Sequence, residues 1–238
     1  MGKKSDEIIA MLQKLGNSEI ALHSRRFFKT GPGEYGEGDR FLGIKVPLIR
    51  KCVSEFRDIS LEDALETLNS PFHEARLLAL LVMVTKYRSA MTEAEKEAIY
   101  SSYLDNAAHI NNWDLVDCSA EHIVGAYLFD RERSTLYRLA GSNTLWERRI
   151  AIMATFHFIK KGDFSDTLAI AEELLHDRED LVHKAVGWML REVGKRDIHR
   201  ERGFLGRYSG EMPRTMLRYA IERFPEEERL KYLYGVDK

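Results

Sequence analysis

Ser70-Pro71-Phe72-His73-Glu74-Ala75-Arg76-Leu77-Leu78-Ala79-Leu80-Leu81-Val82-Met83-Val84 decides the fold class of this 238-residue chain. Ser70 reads as a helix cap, Pro71 as the first helical residue and Glu74 as a capping acid ahead of the apolar run 77–84. That run is the longest of its kind and far too short to span a membrane. The same start signals recur outward from it: Thr92 with Glu95, Ser60 with Asp63, and Pro47, Pro213 and Pro225 as first-turn residues. Period-two alternation is almost absent, so the chain reads as all-α, with roughly fourteen helices joined by short turns.

A faint repeat runs through these helices. His73-Glu74-Ala75-Arg76-Leu77, Trp146-Glu147-Arg148-Arg149-Ile150 and Val182-His183-Lys184-Ala185-Val186 each set a basic residue before a small or apolar run. Positions 76, 149 and 184 are separated by 73 and 35, about two periods and one period of a helical-pair repeat. Such repeats stack into a curved α-α superhelix of HEAT-like type with a concave inner face, and an irregular helical bundle is the alternative. Residues 1–238 are read as a single domain.

Composition narrows the function. Hydrophobic residues at 44% are ample for a core, and a net charge of −2 opposes a generally basic nucleic-acid binder. The charge is uneven, however: residues 1–51 carry net +4, residues 52–130 net −9 and residues 184–218 net +5. A polyanion responds to such placement, although solvated helix surface explains it equally well. Cys52 and Cys118 are too few for a disulfide framework or a cysteine zinc site and fit a reducing compartment. The N-terminus lacks an apolar signal core, so a cytoplasmic protein without membrane attachment is expected.

Several chemistries fail on spacing. His73-Glu74 is followed by Leu77 where a zincin needs histidine, and the eight histidines show no metal-ligand spacing. Neither cysteine lies in a nucleophile signature and no G-x-S-x-G elbow exists. Gly31-Pro32-Gly33-Glu34-Tyr35-Gly36 spells G-x-G-x-x-G without the preceding strand that dinucleotide binding requires, and lacks the ending of a phosphate loop. It reads as a flexible connector between the second and third helices, placed where it could lie against a ligand. No metal or cofactor is expected.

Asn111-Asn112-Trp113-Asp114-Leu115-Val116-Asp117 sets a carboxylate four residues after an indole, on one helix face. Trp146 with Arg149, and Trp188 with Arg191, recur in two further helix-like segments, which suggests a shared cleft. Singly, Asp117 reads as a surface or salt-bridged acid or as a catalytic one, Arg149 as a salt-bridge partner, and Trp188 as core. Arg191, Lys195, Arg196, Arg200, Arg202 and Arg207 form either a solvated face or a phosphate track.

With these residues in view the chain resembles the AlkD-type DNA alkylation repair glycosylases built from HEAT-like repeats. The resemblance rests on Phe41-Leu42-Gly43-Ile44-Lys45-Val46-Pro47, Trp113-Asp114-Leu115-Val116-Asp117, Trp146-Glu147-Arg148-Arg149-Ile150-Ala151 and Lys184-Ala185-Val186-Gly187-Trp188-Met189-Leu190-Arg191-Glu192. These motifs run in the same order over nearly the full length. The resemblance implies that Asp117 is the catalytic aspartate, that Trp113 and Trp188 hold the backbone and sugar of the lesion nucleotide, and that Arg149 contacts DNA beside the lesion. Lys184, Arg191 and Lys195 are implied as further DNA contacts. Phe27 departs from the tyrosine that some members carry near the DNA, which removes a hydroxyl contact.

The implied activity is a monofunctional DNA glycosylase that releases N7- and N3-alkylated purines from double-stranded DNA, working as a monomer in the cytoplasm and on the nucleoid. The damaged base is implied to stay out of a tight pocket, unlike the usual flipped base. Two alternatives keep the fold but not this chemistry: a non-catalytic module binding structured DNA or a protein partner, and a different enzyme on a helical solenoid.

Overall fold

The computed structural model describes residues 3–235, and among them the ordered elements are all helical. The all-α expectation therefore holds. The only β feature among the described residues is an isolated parallel bridge between Arg40 and Phe72. No described helix is long and apolar enough to cross a membrane. The chain divides into two compact units, residues 1–119 and residues 120–238.

The first unit contains α1 (Lys3–Leu15), α2 (Ser18–Phe27), α3 (Val46–Phe56), α4 (Leu61–Leu68), α5 (His73–Ser89), α6 (Glu93–Asp105) and α7 (Trp113–Asp117). Its centre is α5, against which α1, α3, α4, α6 and α7 pack. The reason lies in its sequence. Apart from its first turn and its last, α5 is apolar around its circumference, and such a helix is stable only when enclosed. The expected caps at Ser60 and Thr92 form, the latter as a full capping box with Glu95.

The start of α5 differs from the sequence reading. Phe72, not Ser70, occupies its N-cap, and Ser70 Oγ accepts only the Phe72 N–H at 3.2 Å. Glu74 caps a different stretch of chain: its carboxylate accepts N–H groups from Leu42, Gly43 and Ile44 at 2.9, 2.7 and 3.2 Å. The segment before α3 thus uses the acid that local spacing assigned to the helix. Gly43 in this segment has φ +81°, and a Cβ there would lie 2.0 Å from the Asn17 carbonyl oxygen, so only glycine fits. Pro213 and Pro225 also sit one position earlier than expected, at the N-caps of their helices, while Pro47 is in the first turn of α3.

The second unit opens with a π-helical turn, Glu121–Gly125, which continues into α8 (Ala126–Leu128). There follow α9 (Ser134–Ala140), α10 (Leu145–Ala154), α11 (Phe156–Lys160), α12 (Ser165–Glu173), α13 (Asp180–Gly194), α14 (Ile198–Tyr208), α15 (Arg214–Ala220) and α16 (Glu226–Tyr234). Helices pack on their next and next-but-one neighbours, α9 on α10 and α13 on both α14 and α15, the local pattern of helical-pair repeats. Gly187 permits the close approach of α13 and α15. A Cβ at this position would lie 2.3 Å from the Met216 carbonyl oxygen and 2.6 Å from Tyr219 Cβ.

Candidate functional site

Trp113 and Asp117 are the first and last residues of α7, a helix of 5 residues, and both are half-buried. A helix this short has no stability of its own, so neighbouring groups must fix it. Asn112 provides the first support: its Oδ1 accepts the Trp113 N–H at 2.9 Å and its Nδ2 donates to Asp39 at 3.2 Å. Asp114 provides the second, through an ion pair of 2.9 Å with His73 Nε2. His73 Nδ1 lies 3.2 Å from Asp39, whose other oxygen accepts from Arg76 at 2.6 Å.

The charges of this cluster balance. Burial alone would push the His73 pKa down, but the hydrogen bonds with Asp114 and Asp39 outweigh it and raise the pKa to about 9. Burial works against ionised Asp39 as well, and the donors His73, Arg76 and Asn112 reverse that effect and hold its pKa below the usual carboxylate value. Two cations and two anions therefore lie together under α7 at neutral pH. Cys118, at the end of α7, is held as a thiol by burial reinforced by Asp114 and Asp117, which excludes a resting thiolate.

Aromatic rings line the same face. Phe28 stacks on Trp113 at 5.5 Å and on Phe41 at 5.0 Å, and Phe41 stacks on His73 at 4.6 Å. Phe27 meets the Trp113 ring edge-on at 6.0 Å and is 57% exposed. The site in this unit is thus a half-open indole backed by phenyl rings, with the Asp117 carboxylate one helical turn away. The connector at residues 28–40 is braced rather than loose. Glu34 and Glu37 accept the Gly31 and Gly33 N–H groups at 2.7 and 2.8 Å, so those donors already have partners, and buried Asp39 ties its end to His73 and Arg76.

In the second unit, Trp146 and Arg149 of α10 are buried, and Arg149 Nη1 donates to the Leu181 carbonyl at the start of α13. Arg148, beside it, makes two contacts with Asp177 at 2.5 and 3.2 Å. Trp188 is half-buried on α13, faces Phe156 at 6.1 Å, and donates its indole N–H to Glu192 at 3.2 Å. Glu192 also accepts from Lys195 at 2.5 Å and Arg196 at 3.2 Å, and Lys160 lies 4.2 Å over the Phe156 ring. Burial disfavours ionised Glu192, but these donors hold its pKa below the usual value. Trp188 is therefore bordered by two exposed or part-exposed lysines and Arg196.

The remaining candidates differ in availability. Lys195 is 44% exposed, whereas Arg191 is 15% exposed and ion-paired with Glu222. Lys184 is 38% exposed and paired with Asp180 at 2.7 Å. Sequence reasoning missed the supporting residues Asp39, His73, Asn112 and Asp114, as well as Phe28, Phe156 and Lys160. Only Asn112 carried a local signal, as an N-cap residue before Trp113. Among the described residues no group of three or more His, Cys, Asp or Glu side chains converges as a metal site.

The model of the DNA alkylation repair enzyme family matches residues 8–224. A solved structure titled as a predicted DNA alkylation repair enzyme from Enterococcus faecalis is similar in fold, with a TM-score of 0.67 at 16% identity over 89% of this chain and 97% of that one. A comparison with curated proteins finds no match. The family model spans most of the chain, and the chain belongs to the DNA alkylation repair enzyme family.

Proposed function

We propose that this member of the DNA alkylation repair enzyme family is a monofunctional DNA glycosylase that hydrolyses the N-glycosidic bond of N7- and N3-alkylated purines in duplex DNA. The observation that carries the reading is Asp117 on α7, one turn from a half-open Trp113 that is backed by Phe28 and flanked by Phe27. The chemistry asks for little more. An alkylated purine is already cationic, so it departs without strong protonation. What must be stabilised is the positive charge that grows on the sugar as the bond breaks.

A fixed carboxylate stabilises that charge directly, and an indole face adds cation–π attraction. In the balanced step, the bonding pair of the C1′–N bond leaves with the base and neutralises its charge. A water oxygen adds to C1′, and Asp117 orients that water and takes its proton on the way to solvent. Trp188 supports the reading from the second unit, as an indole among Lys160, Lys195 and Arg196, a composition suited to sugar and phosphate. Arg149 is assigned to the DNA beside the lesion after release of its bond to the Leu181 carbonyl, and Lys184 and Arg191 to phosphates after exchange of their present carboxylate partners.

The test is a panel of duplexes each holding one lesion, assayed for abasic sites, with parent and Asp117→Asn proteins. Release of 7-methylguanine and 3-methyladenine and refusal of uracil and 8-oxoguanine are expected, because charge on the base sets the leaving group. Asp117→Asn should lose at least about 100-fold in single-turnover rate, about 2.7 kcal/mol of barrier, with DNA affinity little changed. Efficient release of uracil, or an Asp117→Asn rate within about threefold of the parent, refutes the assignment.

A further inference from the structure

The buried polar cluster beneath α7 is more than the fold of the first unit requires. Carboxylates and a histidine this deep are costly unless each is fully partnered, and apolar side chains of the same volume would hold α5 in place as well or better. The cluster's connections point in one direction. His73 Nδ1 and Asn112 Nδ2 both meet Asp39 Oδ2, and Arg76 holds the other oxygen of Asp39. From this base two arms rise to α7: Asn112 caps the Trp113 N–H, and His73 Nε2 holds Asp114 Oδ2.

Asp114 has no alternative hydrogen-bonded anchor, because its Oδ1 is buried without a hydrogen-bond partner. The imidazole is also in the ring stack, with Phe41 at 4.6 Å and Phe28 at 5.0 Å, and Phe28 passes the contact on to Trp113. His73 thus meets α7 directly through the Asp114 carboxylate and indirectly through Phe28, which stacks between it and Trp113.

We propose that His73, seated on Asp39, is a positioning residue for excision: through Asp114 it fixes the short helix that carries Trp113 and Asp117. It acts through α7 and touches neither substrate nor reacting atoms. The inference rests on the glycosylase reading given above. The charged groups facing His73 are Asp39 from the connector, Asp114 from α7 and Arg76 from its own helix, while Glu74 turns away to Leu42, Gly43 and Ile44. The imidazolium state persists to about pH 9, so the ion pair to Asp114 is intact at neutral pH and weakens above that value.

Single-turnover excision of 7-methylguanine by parent, His73→Gln, Asp114→Asn and the double variant tests the proposal, with DNA affinity measured in parallel. His73→Gln should slow excision at least about tenfold while affinity stays within about threefold, and the double variant should be no slower than the slower single one, as for two residues acting as a unit. The ratio of parent to His73→Gln rates should fall as pH rises from about 7 to about 10, since the parent loses its imidazolium over that range. A merely structural histidine would leave that ratio flat. Asp114→Asn, at a position 16% exposed, keeps the test open if His73→Gln does not fold.

A readout independent of activity separates the two claims. In a chain carrying Trp146→Phe and Trp188→Phe, Trp113 is the only indole, and its emission should change across about pH 9, with the change abolished by His73→Gln. If the parent releases no alkylated base, the glycosylase reading fails and this emission change alone decides the positioning role. If the parent is active and His73→Gln and Asp114→Asn both excise within about threefold of it, the positioning role is overturned and the glycosylase reading stands.

Discussion

Glu201 on α14 offers a sharp test of the physical account of the second unit, because its carboxyl is 2% exposed and its Oε1 has no hydrogen-bond partner. Burial pushes its pKa up from 4.5 to about 8, against the opposing pull of Arg191. The sign follows from proton counting. Between these two values the folded protein keeps the proton while the unfolded chain releases it, so stability falls as pH rises. Each pH unit in that window costs the fold about 1.4 kcal/mol, and about 3 kcal/mol is lost by about pH 7. Glu201→Gln cannot ionise and should abolish this slope. The amide must still fit against Gly194, where a Cβ would lie 1.6 Å from Glu201 Oε2, so the variant loses part of the gain as strain. With that strain at about 2 kcal/mol, we expect it to be about 1 kcal/mol less stable than the parent near pH 5 and about 2 kcal/mol more stable near pH 8. Urea unfolding of both chains, followed by circular dichroism, reads the difference at each pH. Subtracting one chain from the other cancels the separate slope that His73 contributes between 6.5 and about 9. A parent-minus-variant difference that stays flat from about pH 5 to about pH 8 would refute a neutral, buried Glu201.

Two further outcomes follow from the basic and glycine positions. Lys195→Ala should flatten the slope of log DNA affinity against log salt by about one unit, whereas Arg191→Ala should change it less and lower the unfolding midpoint, because both are paired with carboxylates but Lys195 is 44% exposed and Arg191 only 15%; equal slopes for parent and Lys195→Ala would remove Lys195 from the phosphate track. Gly187→Ala should destabilise by about 2 kcal/mol in urea and slow excision by displacing Trp188, since the added Cβ meets α15 backbone; a variant with parental stability would mean that α13 and α15 separate freely.

What the sequence disclosed depended on how far apart the interacting residues lie. The helices and the caps at Ser60 and Thr92 were legible because each is set by residues within one turn. Ser70 and Glu74 obeyed the same local rule and misled, because Glu74 binds N–H groups 30 to 32 positions away and leaves Phe72 at the cap. Trp113 and Asp117 stood out through their spacing. Their support did not, since Asp39 reaches Asn112 across 73 residues and His73 reaches Asp114 across 41, separations with no periodic signature.

The same distinction explains why His73-Glu74 failed as a metal motif yet sits at the heart of the first unit. A zincin histidine needs a second one a turn later, and position 77 is leucine, so the pair reads as chemically idle in one dimension. In three dimensions the two side chains part: Glu74 grips the segment from Leu42 to Ile44 and His73 grips Asp114. One helix start thereby fixes both the glycine turn that crosses α2 and the helix that bears the proposed catalytic carboxylate. If alkylpurine excision relies on a preset carboxylate rather than on a pocket that closes around the base, rigidity beneath α7 must supply the preorganisation that pocket closure supplies elsewhere. Buried charges that hold one another, His73 between Asp39 and Asp114 and Arg76 on Asp39, are a structure suited to that task, because the cluster loses its balance when any one member moves.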